Sequence, residues 1–167
     1  MLAHRRERPH AWGVELFEVV ADALRGMVPP ELGPVRTRWH RYGLKVWFGP
    51  EKPTREHYEA QVIGPHDVPE AAVLAVEVGF HAENPKPADN DAVLAVLTAA
   101  GQRWRSVLGD EPVAGAFLGA RDDWCRLSET WPDPDLDDEE LGPALAARLT
   151  DYIEALEPIR RASAEGT

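Results

Sequence analysis

Two short stretches carry side chains able to bind a metal or move a proton at strand-like spacing. "REHYEAQVIG" (residues 55 to 64) holds His57, Glu59 and Gln61, and "AAVLAVEVGFHAE" (residues 71 to 83) holds Glu77, His81 and Glu83. In an extended chain alternate residues share a face, so each set projects to one side of its strand. Two imidazoles and two carboxylates, His57, Glu59, Glu77 and His81, form a donor set for a borderline divalent cation. A lysine beside such a set, Lys45, could manage charge in hydrolysis, which makes Glu59, Glu77 and Lys45 the candidate catalytic residues. Strand spacing alone does not bring four donors to the roughly 2.0 to 2.2 Å that zinc requires.

The elements that must position these residues follow from periodicity. "AWGVELFEVVADALRGMVPP" places Trp12, Leu16, Val19, Val20, Ala23 and Met27 at spacings of three and four, which predicts an amphipathic helix stopped by Pro29 and Pro30. "WHRYGLKVWFG" alternates with period two and reads as one strand, with Tyr42, Leu44, Val46 and Phe48 on one face and Trp39, Arg41, Lys45 and Trp47 on the other. With the strands of "REHYEAQVIG" and "AAVLAVEVGFHAE" it makes an antiparallel meander joined by Gly- and Pro-containing turns. A second helix is expected from Asp91 to Leu108. Two shorter strands follow in "PVAGAFLG" and "DWCRLSETW", then a last helix from about Asp138 to Glu157, with Pro158 stopping or kinking it. The fold class expected is α+β, a single domain in the order α-β-β-β-α-β-β-α with the helices on one face of an antiparallel sheet. Residues 1–9 read as a flexible basic arm, 10–160 as the domain and 161–167 as a flexible tail.

If three helices cover the apolar face, the other face is open or used. Simple hairpin registers put Lys45 near Glu59, Trp47 near His57 and His81, and Gly43 near Gln61 and Glu77. The expected face comprises Trp39, Arg41, Lys45, Trp47, His57, Glu59, Gln61, Glu77 and His81. Three readings suit it: a solvated surface with a Lys45–Glu59 cross-strand pair, an interface anchored by its Trp and Arg residues, or a chemical site. The expectation drawn is a non-enzymatic protein, a homodimer, that binds a protein partner or scaffolds through this face. The alternative is a metal-assisted, nuclease-like hydrolase.

Composition narrows the classes. The chain has 167 residues, 44% hydrophobic and 28% charged, which is globular, and no apolar run reaches the roughly 20 residues of a membrane span. A cytoplasmic protein without a membrane role is expected. A net charge of −11 disfavours nucleic acid, although His4, Arg5, Arg6 and Arg8 could touch phosphates. A single cysteine, Cys125, excludes an internal disulfide and reads as a buried, inert thiol. The excess of Arg over Lys, 15 to 3, suggests a GC-rich bacterial genome. Phosphate-loop, dinucleotide and His-Glu-x-x-His motifs are absent, so no cofactor is expected. The acidic run Asp133 to Glu140 lacks the glycine of a calcium loop and reads as a solvated segment leading into the last helix.

The leading α-β-β-β-α-β order is similar to the core of PD-(D/E)xK nucleases. Glu59 would stand for the first acid, but Glu77-Val78-Gly79 lacks the lysine that the family's acid-x-Lys element requires. The full order, the acidic charge and the size resemble the type III secretion chaperone-like fold, including its YbjN-type relatives, which would imply a dimer binding another polypeptide. Asn90 opening a helix, "RWRSVLGDEPV", "WCRLSETW" and "IEALEPI" resemble an uncharacterised bacterial domain associated with restriction-type proteins. Neither of these last two resemblances supplies catalytic residues.

Overall fold

The computed structural model of the protein describes residues 12–166. One antiparallel sheet of six strands, ordered β1-β2-β3-β4-β6-β5, organises these residues. The strands are β1 (Val35–His40), β2 (Gly43–Phe48), β3 (Glu56–Ile63), β4 (Ala75–Ala82), β5 (Val113–Ala116) and β6 (Cys125–Pro132). Four α-helices accompany them: α1 (Trp12–Met27), α2 (Pro87–Ala99), α3 (Gly101–Leu108) and α4 (Leu141–Glu165). The fold is α+β, and the last two strands join the same sheet, β6 pairing with β4. Among the described residues no helix is long and apolar enough to cross a membrane.

The helices lie on the apolar face. Leu44 and Val46 of β2, Tyr58 and Ala60 of β3, Val76, Val78 and Phe80 of β4 and Leu127 of β6 form one core with Phe17, Val20 and Leu24 of α1 and Leu145, Leu149, Ile153 and Leu156 of α4. Burying a large aliphatic side chain contributes roughly 1.5–3 kcal/mol, so this stripe-to-sheet contact is the main cohesive term. Buried carboxylates tie α4 to the sheet as well. Glu129 of β6 accepts from Arg148 Nε at 2.8 Å and from the Tyr152 hydroxyl at 2.9 Å, while Glu157 accepts from the Tyr58 hydroxyl at 2.9 Å.

Four expectations change. The stretch expected as one strand folds back at Arg41 and Tyr42, and β1 pairs with β2 so that Trp39 faces Leu44 and Arg38 faces Lys45. Within one strand residues of like parity share a face; across a two-residue turn residues of unlike parity do, so the reversal exchanges the faces. The stripe of α1 is turned: Phe17, Ala21 and Leu24 are buried, whereas Val19 and Met27 are exposed. The single second helix is two. The Leu97 carbonyl, which a continuous helix would use for the residue-101 amide, accepts the Trp104 indole N–H at 2.8 Å, and Ala100 leaves helical geometry. Finally, α4 runs past Pro158 to Glu165, so residues 161–165 are helical. The lost hydrogen bond at proline is offset by anchors beyond it: Arg160 to Glu56 at 3.1 Å and Arg161 to the Leu32 carbonyl at 2.7 Å. The basic arm of residues 1–9 lies outside the described residues.

Candidate metal centre

The polar residues of the sheet meet on the face away from the helices. β3 and β4 pair with His57 opposite His81 and Gln61 opposite Glu77, and Lys45 of β2 lies opposite Glu59. From this register His57, Glu59, His81 and Glu83 point donor atoms into one space. The His57 Nε2 is 2.9 Å from Glu59 Oε2 and 3.5 Å from Glu83 Oε1. The His81 Nδ1 is 3.1 Å and 3.6 Å from the same two oxygens. One donor atom from each of the four residues lies within 4.8 Å of every other. Tetrahedral coordination with bonds near 2.0–2.1 Å would space its donors about 3.3 Å apart, and the four nitrogen-to-oxygen separations straddle that value.

Each imidazole is held from behind by its other nitrogen. The His57 Nδ1 is 2.9 Å from the Thr54 carbonyl oxygen, which can only accept, so Nδ1 carries a proton and Nε2 faces the cluster. The His81 Nε2 donates to Glu77 Oε1 at 2.8 Å, leaving Nδ1 toward the cluster. Glu77 is itself fixed: Gln61 Nε2 donates to its Oε1 at 2.8 Å and Ser128 Oγ to its Oε2 at 2.8 Å, and Arg126 Nη1 donates to Ser128 Oγ at 2.9 Å. A carboxylate behind a histidine fixes the tautomer and raises the basicity of the nitrogen offered to a metal. Ser128 comes close because Gly79 lies opposite it; a Cβ at Gly79 would sit 2.5 Å from Leu127 O and from Ser128 Cα.

Without an ion the same atoms form a charge network. Burial works against the charge on His57, but hydrogen bonds to Glu59 and Glu83 outweigh it and raise its pKa above 6.5. Burial acts likewise on His81, and the Glu77 charge with hydrogen bonds to Glu59, Glu77 and Glu83 pushes its pKa well above 6.5. Burial would raise Glu59, yet its hydrogen bonds to His57 and His81 bring it down to about 2. Burial likewise opposes the charge on Glu83 and Glu77, but hydrogen bonds to His57 and His81 lower Glu83, and the His81 charge with hydrogen bonds to His81, Gln61 and Ser128 lowers Glu77. Lys45 Nζ completes the set, 3.0 Å from Glu83 Oε2 and 3.8 Å from Glu59 Oε2. Three cations, Lys45, His57 and His81, therefore face three anions, Glu59, Glu77 and Glu83.

The sheet face is covered rather than open at this point. His57 is 1% exposed, and Glu77 and His81 are 0% exposed. Phe117 lies edge-on to His81 with ring centroids 5.1 Å apart, and Trp124 packs on Phe117 at 5.2 Å. Beside them Val68, Ala71 and Ala75 form a second small apolar cluster with Ile63 and Leu118, and Asp133 holds the 72–74 backbone over it by accepting from Ala72 N at 2.7 Å and Val73 N at 2.8 Å. A cavity of about 810 Å³ touches only His57 of the cluster, on its Thr54 side. Access to the donor atoms therefore runs past Glu83 and Lys45, the most exposed members at 10% and 30% by side chain.

Of the expected face, Lys45, Trp47, His57, Glu59, Gln61, Glu77 and His81 do share one side of the sheet. Trp39 lies on the helix side against the core, and Arg41 sits in the turn with its guanidinium over the Tyr42 ring. Glu83 replaces Glu77 among the converging donors, since Glu77 stands behind His81. A lysine does reach the acids, from β2 rather than from the strand that carries Glu77. Asn90, read from the sequence as opening the second helix, instead lies within the first turn of α2, which starts at Pro87, and is fully buried. Its side chain accepts from Asn84 N at 2.8 Å and donates to Asn84 O at 3.0 Å and Asp123 O at 2.7 Å, fixing the turn that follows Glu83. The available signal was an Asn early in a predicted helix. Cys125 is buried, and burial raises its thiol to about 11, which leaves it inert. Compared with known proteins, the chain matches no family model, no curated protein and no solved structure.

Proposed function

We propose that the protein is a divalent transition-metal binder whose ion is held by His57 Nε2, His81 Nδ1 and the carboxylates of Glu59 and Glu83. The observation that carries this reading is the convergence of four donor atoms on one space, with both imidazoles already anchored by their far nitrogens. Mixed nitrogen and oxygen donors suit zinc, manganese, iron or nickel better than calcium or magnesium, which take oxygen. Filled tetrahedrally, the site is closed and structural; a six-coordinate ion keeps two positions for water or substrate on the Glu83 and Lys45 side, where metal-assisted hydrolysis could occur. The test is titration of metal-stripped protein with zinc or manganese by calorimetry and thermal melting. One ion per chain with a raised Tm is expected, because an ion that binds only the native state stabilises it. His81→Ala should abolish this, and Glu83→Gln, at the least deeply buried of the four donors, should weaken it. An unchanged Tm and no heat of binding would end the reading.

A second reading, pairing with another polypeptide or a second copy, is favoured by β5, the outermost strand of the sheet among the described residues, where Val113 is 51% exposed. Light scattering that finds a monomer at high concentration would discard the homodimer.

A further inference from the structure

The chain carries 29 acids against 18 basic residues, yet from Leu32 to Pro50 it contains no Asp or Glu and holds Arg36, Arg38, Arg41 and Lys45. This segment is the β1–β2 hairpin at the sheet edge. On β1 the residues Val35, Thr37 and Trp39 turn inward, while Arg36, Arg38 and His40 are exposed on the face that carries the metal donors. The register makes a row across that face, Arg38 opposite Lys45 and Lys45 opposite Glu59. Strand spacing puts the Arg38 backbone about 10 Å from that of Glu59, within reach of an extended guanidinium and one bound anion. Arg36 bonds only a carbonyl, Gly49 O, at 2.9 Å, and among the described residues Arg38 has no hydrogen-bond or ion-pair partner. Arg121 is paired with Asp123 at 3.0 Å and contributes no free cation. The approach to the donor atoms is thus flanked on its β1 side by arginines without an acidic partner among the described residues, in a protein that is otherwise acidic.

We infer that the site takes a phosphate-bearing ligand, bound by the metal and by Arg38 and Lys45 of the basic hairpin. This rests on the metal reading above. An unpaired guanidinium beside an ammonium is the fork-and-point arrangement that recognises phosphate oxygens, and a metal with open positions supplies a third contact. Positive charge at one edge of a low-dielectric site also concentrates anions that the net charge would otherwise repel. Free phosphate esters and the backbone of a nucleic acid share this chemistry.

The test uses the full chain loaded with manganese. Phenyl phosphate is one probe, followed by paramagnetic broadening of its phosphorus resonance; a fluorescein-labelled single-stranded oligonucleotide is the other, followed by anisotropy. Wild type should bind at least one probe, and Arg38→Glu, an exposed change, should weaken that binding about tenfold or more without lowering manganese affinity. Binding confined to phenyl phosphate marks a small ester as the source, and binding confined to the oligonucleotide marks a polynucleotide; either supports the inference. Manganese bound with neither probe bound, or equal binding by Arg38→Glu, overturns it and leaves the metal reading standing. No manganese bound overturns both.

Discussion

Loading the cluster with a divalent ion should release two protons, because both imidazoles enter the site doubly protonated. Each nitrogen of His57 and His81 faces an oxygen that only accepts: Thr54 O and Glu59 Oε2 for His57, Glu77 Oε1 and Glu59 Oε2 for His81. A metal takes the place of the Nε2 proton of His57 and the Nδ1 proton of His81. Two positive charges leave and two arrive, so the three remaining carboxylates and Lys45 stay balanced, and the exchange needs no new counter-charge. Below the raised histidine pKa values, two displaced protons correspond to about 2.7 kcal/mol per pH unit, or about a hundredfold in affinity. At a free metal concentration about 100 times Kd the native state gains about 2.7 kcal/mol. For a chain of this size that is a Tm increase of about 5–11 °C. Calorimetry in buffers of different ionisation enthalpy counts the protons directly, and melting between about pH 5.5 and about pH 7.5 follows the affinity across the range where histidine titrates. Metal binding without proton release, or with affinity flat across that range, would show that His57 and His81 are not the ligands.

Three further outcomes are expected. Glu77→Gln should lower metal affinity about 10–100-fold with the ion count unchanged, since the residue positions His81 rather than binding the metal; unchanged affinity would refute that role. Gly79→Ala should destabilise the protein by about 1–3 kcal/mol in urea unfolding, because its Cβ would meet main-chain atoms of Leu127 and Ser128 at 2.5 Å. The metal-free protein should be most stable between about pH 4.5 and 6.5. The raised His57 and His81 contribute fully below 6.5 and lose that contribution as pH rises through their folded values; the lowered Glu59 contributes above 4.5 and loses it as pH falls toward about 2. A Tm that climbs steadily from about pH 5 to about pH 9 without metal would contradict the charge network.

Much of the arrangement was legible in the chain. Period-two alternation in β3 and β4 put His57, Glu59 and Gln61 on one face and Glu77 and His81 on the matching one, and short turns between consecutive strands set the register that brought Lys45 to Glu59. Side-chain alternation is local, so it survives folding unchanged. The reversal at Arg41 and Tyr42 was not legible, because neither residue is a strong turn former and the hydrophobic alternation runs on without a break. It moved Trp39 to the core and freed Arg36 and Arg38 for the polar face.

By itself the sequence determined an α+β chain with an apolar sheet face, an acidic surface and a second sheet face supplied with histidines and carboxylates. Only the tertiary structure decided that this second face is covered, by Phe117 and Trp124, which are distant along the chain from β3 and β4, and by the Val68 segment of the β3–β4 connection folding back over it. Only there could Glu83 meet His57 across the strand pair and Glu77 turn behind His81 on its own strand, since both roles depend on side-chain distances of a few ångströms that residue spacing does not set. Alternation tells which side a residue takes; what meets it on that side is a property of the whole fold.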